Sequence, residues 1–198
     1  MEINSYLVFS VLSIIVTAIS LGLYIITIYK KETKPHLFTW LNWGIIMSIG
    51  AFAQFNLNGG YSAWVIAASA TICLLIAASA IFYGEKNITK SDWFALIGGL
   101  TAIPFWLVTE NPFSAIIIVV LIDSAGYYPT LRKSWSKPSE EPPITYLLGG
   151  LSYFLLLFTV PNITFESFFY PVFLVFASFG SAFYLLWRRK VVAVDINY

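Results

Sequence analysis

Long apolar stretches alternate along this chain with short polar segments. Each apolar stretch is close to the roughly 20 residues that an α-helix needs to cross the hydrocarbon layer of a membrane. The polar segments between them are rich in Lys, Glu, Asn, Gly and Pro, which is typical of loops and helix ends. The pattern predicts an all-α membrane protein with seven transmembrane helices, at about 5–29, 37–55, 62–83, 93–109, 113–131, 144–160 and 168–187.

The composition agrees with this pattern. Hydrophobic residues make up 59% of the 198 residues and charged residues 11%, whereas soluble domains carry about 25% charge. The formal net charge of +1 argues against a nucleic-acid partner. Cys73 is the only cysteine, which excludes an intrachain disulfide and a cysteine-based metal cluster, and we expect no cofactor. No Lys or Arg precedes the first apolar stretch, so we expect that stretch to be retained rather than cleaved.

Positive charges occur in every second loop. All 11 Lys and Arg residues lie in the first, third and fifth polar segments or after the seventh apolar stretch. Positively charged loops face the cytoplasm in most membrane proteins, so the N-terminus is expected outside and the C-terminus inside. We therefore expect a multi-pass protein of the plasma (inner) membrane.

Features of the first half of the chain recur in the second half. Gly22-Leu23-Tyr24 precedes a basic pair, as does Gly126-Tyr127-Tyr128, and Thr39 and Thr145 each stand near the start of the next helix. The matching positions are separated by about 102–106 residues. This spacing indicates an internal repeat.

The repeat predicts two three-helix units and a linker between them. The units cover 5–83 and 113–187, the linker helix covers 92–109, and 188–198 is expected to be a cytoplasmic tail. Because three helices plus one is an even number, both units have the same orientation. Such parallel repeats are known in transporters.

The segment from Gly126 to Thr130 resembles the hallmark of the PQ-loop superfamily, which includes the SWEET sugar facilitators. That hallmark is a glycine, two residues and then Pro-Gln near the cytoplasmic end of the first helix of each unit. Here Pro129 is present and Thr130 stands in place of the glutamine, while the first unit keeps only Gly22. The resemblance extends over the whole chain in layout. It implies a 3+1+3 fold that transports a small polar solute, such as a sugar, by alternating access.

In SWEET-like proteins, asparagines on the third helix of each unit help to hold the sugar. In this chain Cys73 lies in the third helix, and Ser178 and Ser181 lie in the seventh. Neither helix has an asparagine at mid-depth, which argues against a direct transfer of sugar specificity. Cys73 and Ser178 are candidates for the pathway, and the identity of the solute is left open among sugars, amino acids, organic acids and vitamins.

Asp123 is the ionisable residue that falls well inside a predicted helix. A charge at membrane depth costs about 2.5–3.5 kcal/mol on insertion scales, so its presence indicates proton coupling or binding of a polar group of the solute. Tyr127 and Thr130 follow at i+4 and i+7, and the three side chains share a helix face. The alternative is a carboxyl group that hydrogen-bonds a neighbouring helix and fixes its packing.

Two further groups of residues are candidates for the pathway of a solute or proton. Asn42 and Trp43 could bind a solute by hydrogen bonding and ring stacking, although a tryptophan near an interface is usually an anchor. Hydroxyl groups form a stripe along the first helix, which either lines a polar path or supports close helix packing. The stripe consists of Ser10, Ser13, Thr17, Ser20, Tyr24 and Thr27.

Prolines near the cytoplasmic ends of helices are candidate hinges for a gate. They are Pro35, Pro129 and Pro143. For Pro35 and Pro143, simple initiation of the following helix is the alternative. His36 and the glycosylation sequon at Asn162 are interpreted as incidental.

Other functional classes were compared with the transporter hypothesis. A retinal protein needs a Schiff-base lysine in its last helix, and 168–187 contains no lysine. An intramembrane protease usually needs a catalytic pair, which a single mid-membrane Asp does not form, so we expect no enzyme. A non-transporting receptor or interaction protein on the same scaffold is the alternative function. The expected partners are a small-molecule solute and membrane lipid, and homo-oligomerisation is left open.

Overall fold

A computed structural model describes residues 5–56, 60–108, 111–159 and 165–195. Within these ranges the chain contains no strand, so the prediction of an all-α fold is confirmed. The sequon at Asn162 and the last residues of the predicted tail, 196–198, lie outside the described residues. The elements are α1 (Ser5–Tyr29), α2 (Leu37–Asn56), α3 (Gly60–Tyr83), α4 (Lys90–Val108), α5 (Pro112–Ser136), a 3₁₀ turn (Pro138–Glu140), α6 (Pro143–Leu157) and α7 (Phe165–Asp195).

Local sequence explains where several of these helices begin and end. At the start of α4, the Thr89 N–H donates to Asp92 at 2.7 Å and the Asp92 N–H donates to the Thr89 hydroxyl at 3.4 Å, which is a capping box. Helix α6 has Pro143 in its first turn, where the missing N–H is not needed. After α1 the chain reverses at Lys31, whose φ of 62° lies in the left-handed region.

Two stretches of the described residues are long and apolar enough to cross a membrane. They are Ser5–Tyr29, which is the whole of α1, and Phe168–Val192 within α7. Many large apolar side chains are also exposed, among them Phe82, Phe94 and Phe176. Exposed apolar surface of this extent is typical of contact with lipid or with another protein.

The helices pack into two compact units. The first comprises Met1–Thr33, Thr109–Val120 and Ser134–Tyr198, and the second comprises Lys34–Val108 and Leu121–Lys133. In the first unit α6 packs against both α1 and α7, and in the second unit α2 packs against α3 and α4. Each unit therefore combines helices from both halves of the chain. These units have other bounds than the predicted three-helix repeats at 5–83 and 113–187, which stay a prediction.

The two units contain a similar junction at the start of their second helix. In the second unit, the Glu85 N–H after α3 donates to the oxygen of Pro35, just before α2, at 3.1 Å. In the first unit, the Arg189 guanidinium in α7 donates to the main-chain oxygen of Glu141, just before α6, at 2.6 Å. Glu85 and Arg189 are 104 residues apart in the sequence, and Pro35 and Glu141 are 106 residues apart. Both separations are within the spacing of the predicted repeat.

Candidate functional site

A buried amide joins α2 to α5 in the second unit. The side chain of Asn42 is 1% exposed, and its Nδ2 donates to the main-chain oxygen of Ile122 at 3.0 Å. Its Oδ1 has no hydrogen-bond partner among the described residues. A buried oxygen without a partner costs about 1–3 kcal/mol, so a donor brought to this atom would be bound favourably.

Two glycines allow the helices to approach this amide closely. A Cβ atom at Gly126 would lie 2.6 Å from Nδ2 of Asn42 and 2.8 Å from Nε1 of Trp43. A Cβ atom at Gly99 in α4 would lie 3.1 Å from Oδ1 of Asn42. The glycine of the Gly-x-x-Pro motif therefore lies where Asn42 and Trp43 of α2 leave no room for a side chain on α5.

Aromatic rings and hydroxyl groups surround the same contact. The rings of Trp43 and Tyr127 meet edge to face, with their centroids 4.9 Å apart. Further along α5, the Thr130 hydroxyl donates to the Thr39 hydroxyl at 2.9 Å, and both side chains are fully enclosed. We call Asn42, Trp43, Gly126 and Tyr127 the amide site. The structure thus brings Tyr127 together with Asn42 and Trp43, which were separate candidates in the sequence.

Asp123 and Cys73 are buried in the same unit. Both side chains are at most 5% exposed. The Cys73 sulfur lies 3.9 Å from the sulfur of Met47 in α2. These contacts place α3, as well as α2, α4 and α5, around the polar interior of this unit.

The hydroxyl stripe of α1 faces α6 in the first unit. Ser13 and Thr17 both contact the Ser152 hydroxyl, at 2.9 and 2.7 Å, and Ser20 donates to the main-chain oxygen of Thr145 at 2.9 Å. These bonds favour the packing interpretation of the stripe. A role of Ser20 or Tyr24 in a pathway stays a prediction.

The predicted pathway residues are divided between the units. Ser20, Tyr24 and Ser178 belong to the first unit, and the second contains the rest, namely Asn42, Trp43, Cys73, Asp123, Tyr127 and Thr130. Ser178 is buried where α7 passes Gly149 of α6.

The three candidate hinge prolines have different surroundings. Pro143 opens α6, which agrees with helix initiation. Pro35 accepts a hydrogen bond from Glu85 and lies just before α2. Pro129 is enclosed within α5, which is helical from Pro112 to Ser136. A hinge function for any of them stays a prediction.

Glu141 is a buried acid that the sequence analysis did not select. Its side chain is fully buried before α6, and its carboxylate accepts a hydrogen bond from the Tyr24 hydroxyl at 3.1 Å. The Tyr146 hydroxyl is 3.5 Å from the same oxygen. The Pro142-Pro143 pair that follows Glu141 restricts the backbone there, but it does not indicate that the acid is buried.

A second buried charged group centres on Asp92, at the start of α4. Arg132 Nε donates to Oδ1 of Asp92 at 2.6 Å, and Nε2 of His36 lies 3.4 Å from Oδ2. His36 and Asp92 are both fully buried, and the interpretation of His36 as incidental to function stays a prediction. The sequence Thr89-x-x-Asp92 indicates a capping box. It does not indicate that Asp92 also contacts His36 and Arg132, which come from two other helix ends.

The protonation of His36 follows from its burial. Burial lowers the pKa of His36 from 6.5 to about 4, and the nearby charges of Lys133 and Arg132 act in the same direction, against the opposing effect of Asp92. His36 is therefore neutral at pH 7. Neither ring nitrogen has a hydrogen-bond partner of good geometry within the described part of the chain.

These features were also compared with known proteins. No three His, Cys, Asp or Glu side chains in the described ranges converge in a way that could hold a metal ion. Comparison with models of protein families, with curated proteins and with solved structures gives no match.

Proposed function

We propose that this chain is a multi-pass membrane protein that transports a small polar solute by alternating access. The observation that carries the proposal is the amide site, where Oδ1 of Asn42 is buried beside the rings of Trp43 and Tyr127 and has no hydrogen-bond partner among the residues that the structure describes. An amide oxygen and aromatic faces are the groups that bind the hydroxyls and the ring of a sugar-like molecule. The two long apolar helices and the Gly-x-x-Pro resemblance support the same proposal.

The proposed topology has seven transmembrane helices, with the N-terminus outside and the C-terminus in the cytoplasm. The distribution of Lys and Arg over alternate loops supports it. Reporter domains fused after Tyr198 and inserted at Asn58 should report opposite sides of the membrane. The same side for both fusions would overturn the proposed topology.

A ligand screen followed by a flux assay tests the transport function. Purified protein is heated with neutral and charged polar metabolites, beginning with sugars, because a ligand of the folded state raises the unfolding temperature. A ligand of the amide site should stabilise the unmodified chain and the control variant Asn87→Leu but not Asn42→Leu. The same ligand should then cross liposomes that contain the protein. Binding without flux would overturn the transport function in favour of a receptor.

Asp123 is the proposed site of proton coupling. Asp123→Asn, which imitates the protonated acid, should leave solute exchange intact and abolish accumulation driven by a pH gradient. If Asp123→Asn still accumulates solute with the pH gradient, Asp123 is not the coupling site. A packing role predicts instead that Asn is tolerated in both assays while Asp123→Leu lowers stability, because polar partners lose their bond.

A further inference from the structure

The first unit contains a cavity of about 590 Å³ next to the ends of α1 and α7 and the start of α6. Its lining has a polar part with Glu32, Thr33 and Arg189, which we call the polar wall. It also has an apolar part with Ile144, Leu147 and Leu186, which we call the apolar wall. The cavity therefore suits a molecule that is charged at one end and apolar at the other.

The polar wall carries one charge of each sign. Arg189 donates from Nε to the Pro138 oxygen at 3.1 Å, and from Nη2 to the oxygens of Ser139 and Glu141. These bonds fix the plane of the guanidinium group and do not use its Nη1, which has two further N–H groups. A guanidinium held in this way is well suited to binding a phosphate. The Glu141 carboxylate accepts hydrogen bonds from tyrosines and is not part of the wall.

The cavity lies beside the ends of the two helices that could cross a membrane. Thr27, also in its lining, is in the last turn of Ser5–Tyr29, and Leu186 and Arg189 are in the last two turns of Phe168–Val192. If both helices span the bilayer, the cavity is at the level of the lipid head groups. Ile144 and Leu186 are both partly exposed at its apolar wall, where an acyl chain would continue into the hydrocarbon.

We propose that this cavity binds a phospholipid with a zwitterionic, primary-amine head group, that is, a phosphatidylethanolamine. Arg189 binds its phosphate, Glu32 binds its ammonium group, and the apolar wall contacts the first part of an acyl chain. A phosphatidylglycerol has no cation for Glu32, and the trimethylammonium group of a phosphatidylcholine cannot donate a hydrogen bond to it. The inference rests on the proposed embedding in a membrane and does not depend on transport.

The test uses the full-length chain, purified in detergent and depleted of lipid. Native mass spectrometry measures the apparent affinity for the first bound molecule of dihexanoyl phosphatidylethanolamine, phosphatidylcholine and phosphatidylglycerol. We expect phosphatidylethanolamine to bind most tightly. Glu32→Gln should lower that affinity about three- to fivefold, as expected for a partly exposed ion pair, and should remove the preference over phosphatidylglycerol.

Further variants separate the site from general effects on folding. Arg189→Gln removes three bonds to the main chain and can unfold the junction, so Leu147→Trp is the second variant, because it fills the cavity and keeps both charges. Leu147→Trp should weaken all three lipids alike. Lys30→Gln and Lys190→Gln change exposed charges that do not line the cavity, and should leave the preference unchanged.

Two outcomes would overturn the assignment. Equal affinities for the three lipids in the unmodified chain would show general solvation by lipid rather than a site. A preference that survives Glu32→Gln, or affinities that Leu147→Trp leaves unchanged, would place the lipid elsewhere. Carbonate extraction of the source membranes is done in parallel. Protein released by carbonate contradicts the proposed membrane embedding, whereas protein kept in the membrane without a lipid preference contradicts the cavity assignment alone.

Discussion

Nδ2 of Asn42 donates to the main-chain oxygen of Ile122, four residues before Gly126 in α5. In an α-helix that oxygen also accepts the N–H of the residue four positions later, so Asn42 and the backbone of Gly126 share one acceptor. The Asn42 side chain of α2 is thereby hydrogen-bonded to the backbone of α5 next to Gly126, where α5 has no side chain.

The close approach at Gly126 predicts a position-specific effect of adding a methyl group. Gly126→Ala would place Cβ within 2.8 Å of both Asn42 and Trp43, so the helices must shift, at a cost of about 1–3 kcal/mol. Gly22→Ala is the matched control at the corresponding position of the predicted repeat, where no atom lies within 4 Å of the added Cβ. It should be neutral or slightly stabilising. Unfolding by SDS in mixed micelles measures the unfolding free energy of both variants. Equal effects would contradict the close contact.

Oδ1 of Asn42 has no hydrogen-bond partner among the described residues. We therefore predict that substitutions of Asn42 affect the stability of the protein and its binding of a ligand differently. Asn42→Leu loses one hydrogen bond but also removes a buried oxygen without a partner, so stability should change by less than about 1 kcal/mol. Asn42→Asp loses the donor and buries a charge, and should be clearly less stable. Denaturation curves measure stability. If Leu destabilises as strongly as Asp, Oδ1 has a partner in the folded protein.

The hydrogen bond between Tyr24 and Glu141 joins α1 to the start of α6, and we predict that its loss lowers the stability of the protein. Tyr24→Phe leaves the buried Glu141 carboxylate with one bond fewer and should destabilise the protein by about 1–2 kcal/mol. Tyr29→Phe, at the exposed end of the same helix, should have no measurable effect. The difference in unfolding free energy between the two variants is the test, and a difference near zero would argue against the bond.

Because His36 is buried in its neutral form, we predict that the protein loses stability in mild acid. Its pKa is about 4 in the folded protein and 6.5 in the unfolded chain, so the unfolded state binds more protons between these values. Stability should therefore fall as the pH decreases from 6.5 towards 4, by at most about 1.4 kcal/mol per pH unit. His36 is the only histidine, so His36→Gln should flatten the curve above pH 5, where few carboxylates titrate. A variant as pH-dependent there as the unmodified protein would contradict the buried neutral His36.

The seven α-helices of the described residues were predictable because each has an apolar stretch bounded by turn residues. The predicted 5–29 coincides with α1, but α5 and α7 continue beyond the apolar stretches to Ser136 and Asp195. Hydropathy detects the part of a helix that is apolar. Lys and Arg are good helix formers, and so the basic residues extend these helices rather than ending them.

The amide site was partly predictable. Asn42, Trp43 and Tyr127 were identified by residue type, but the sequence carries no sign that Gly126 would meet Asn42 rather than another helix. The buried charges of Glu141 and Asp92 were not predictable from their loops, because polar segments are usually solvated. They are buried here because tyrosine hydroxyls, Arg132 and backbone N–H groups provide their bonds.

The packing of α1 against α6 also bears on how the protein is made. Helix α1 ends at Tyr29 and α6 begins at Pro143, so the ribosome adds more than 100 residues before the first helix can meet its partner. At about 5–20 residues per second, roughly 6–23 s pass between the synthesis of α1 and that of α6. During this time α6 cannot provide hydrogen bonds to the serine and threonine hydroxyls of the α1 stripe. If α1 enters a membrane as proposed, those hydroxyls depend during this time on the insertion machinery or on a neighbouring helix. A nascent chain stalled before α6 therefore lacks the partners of this stripe.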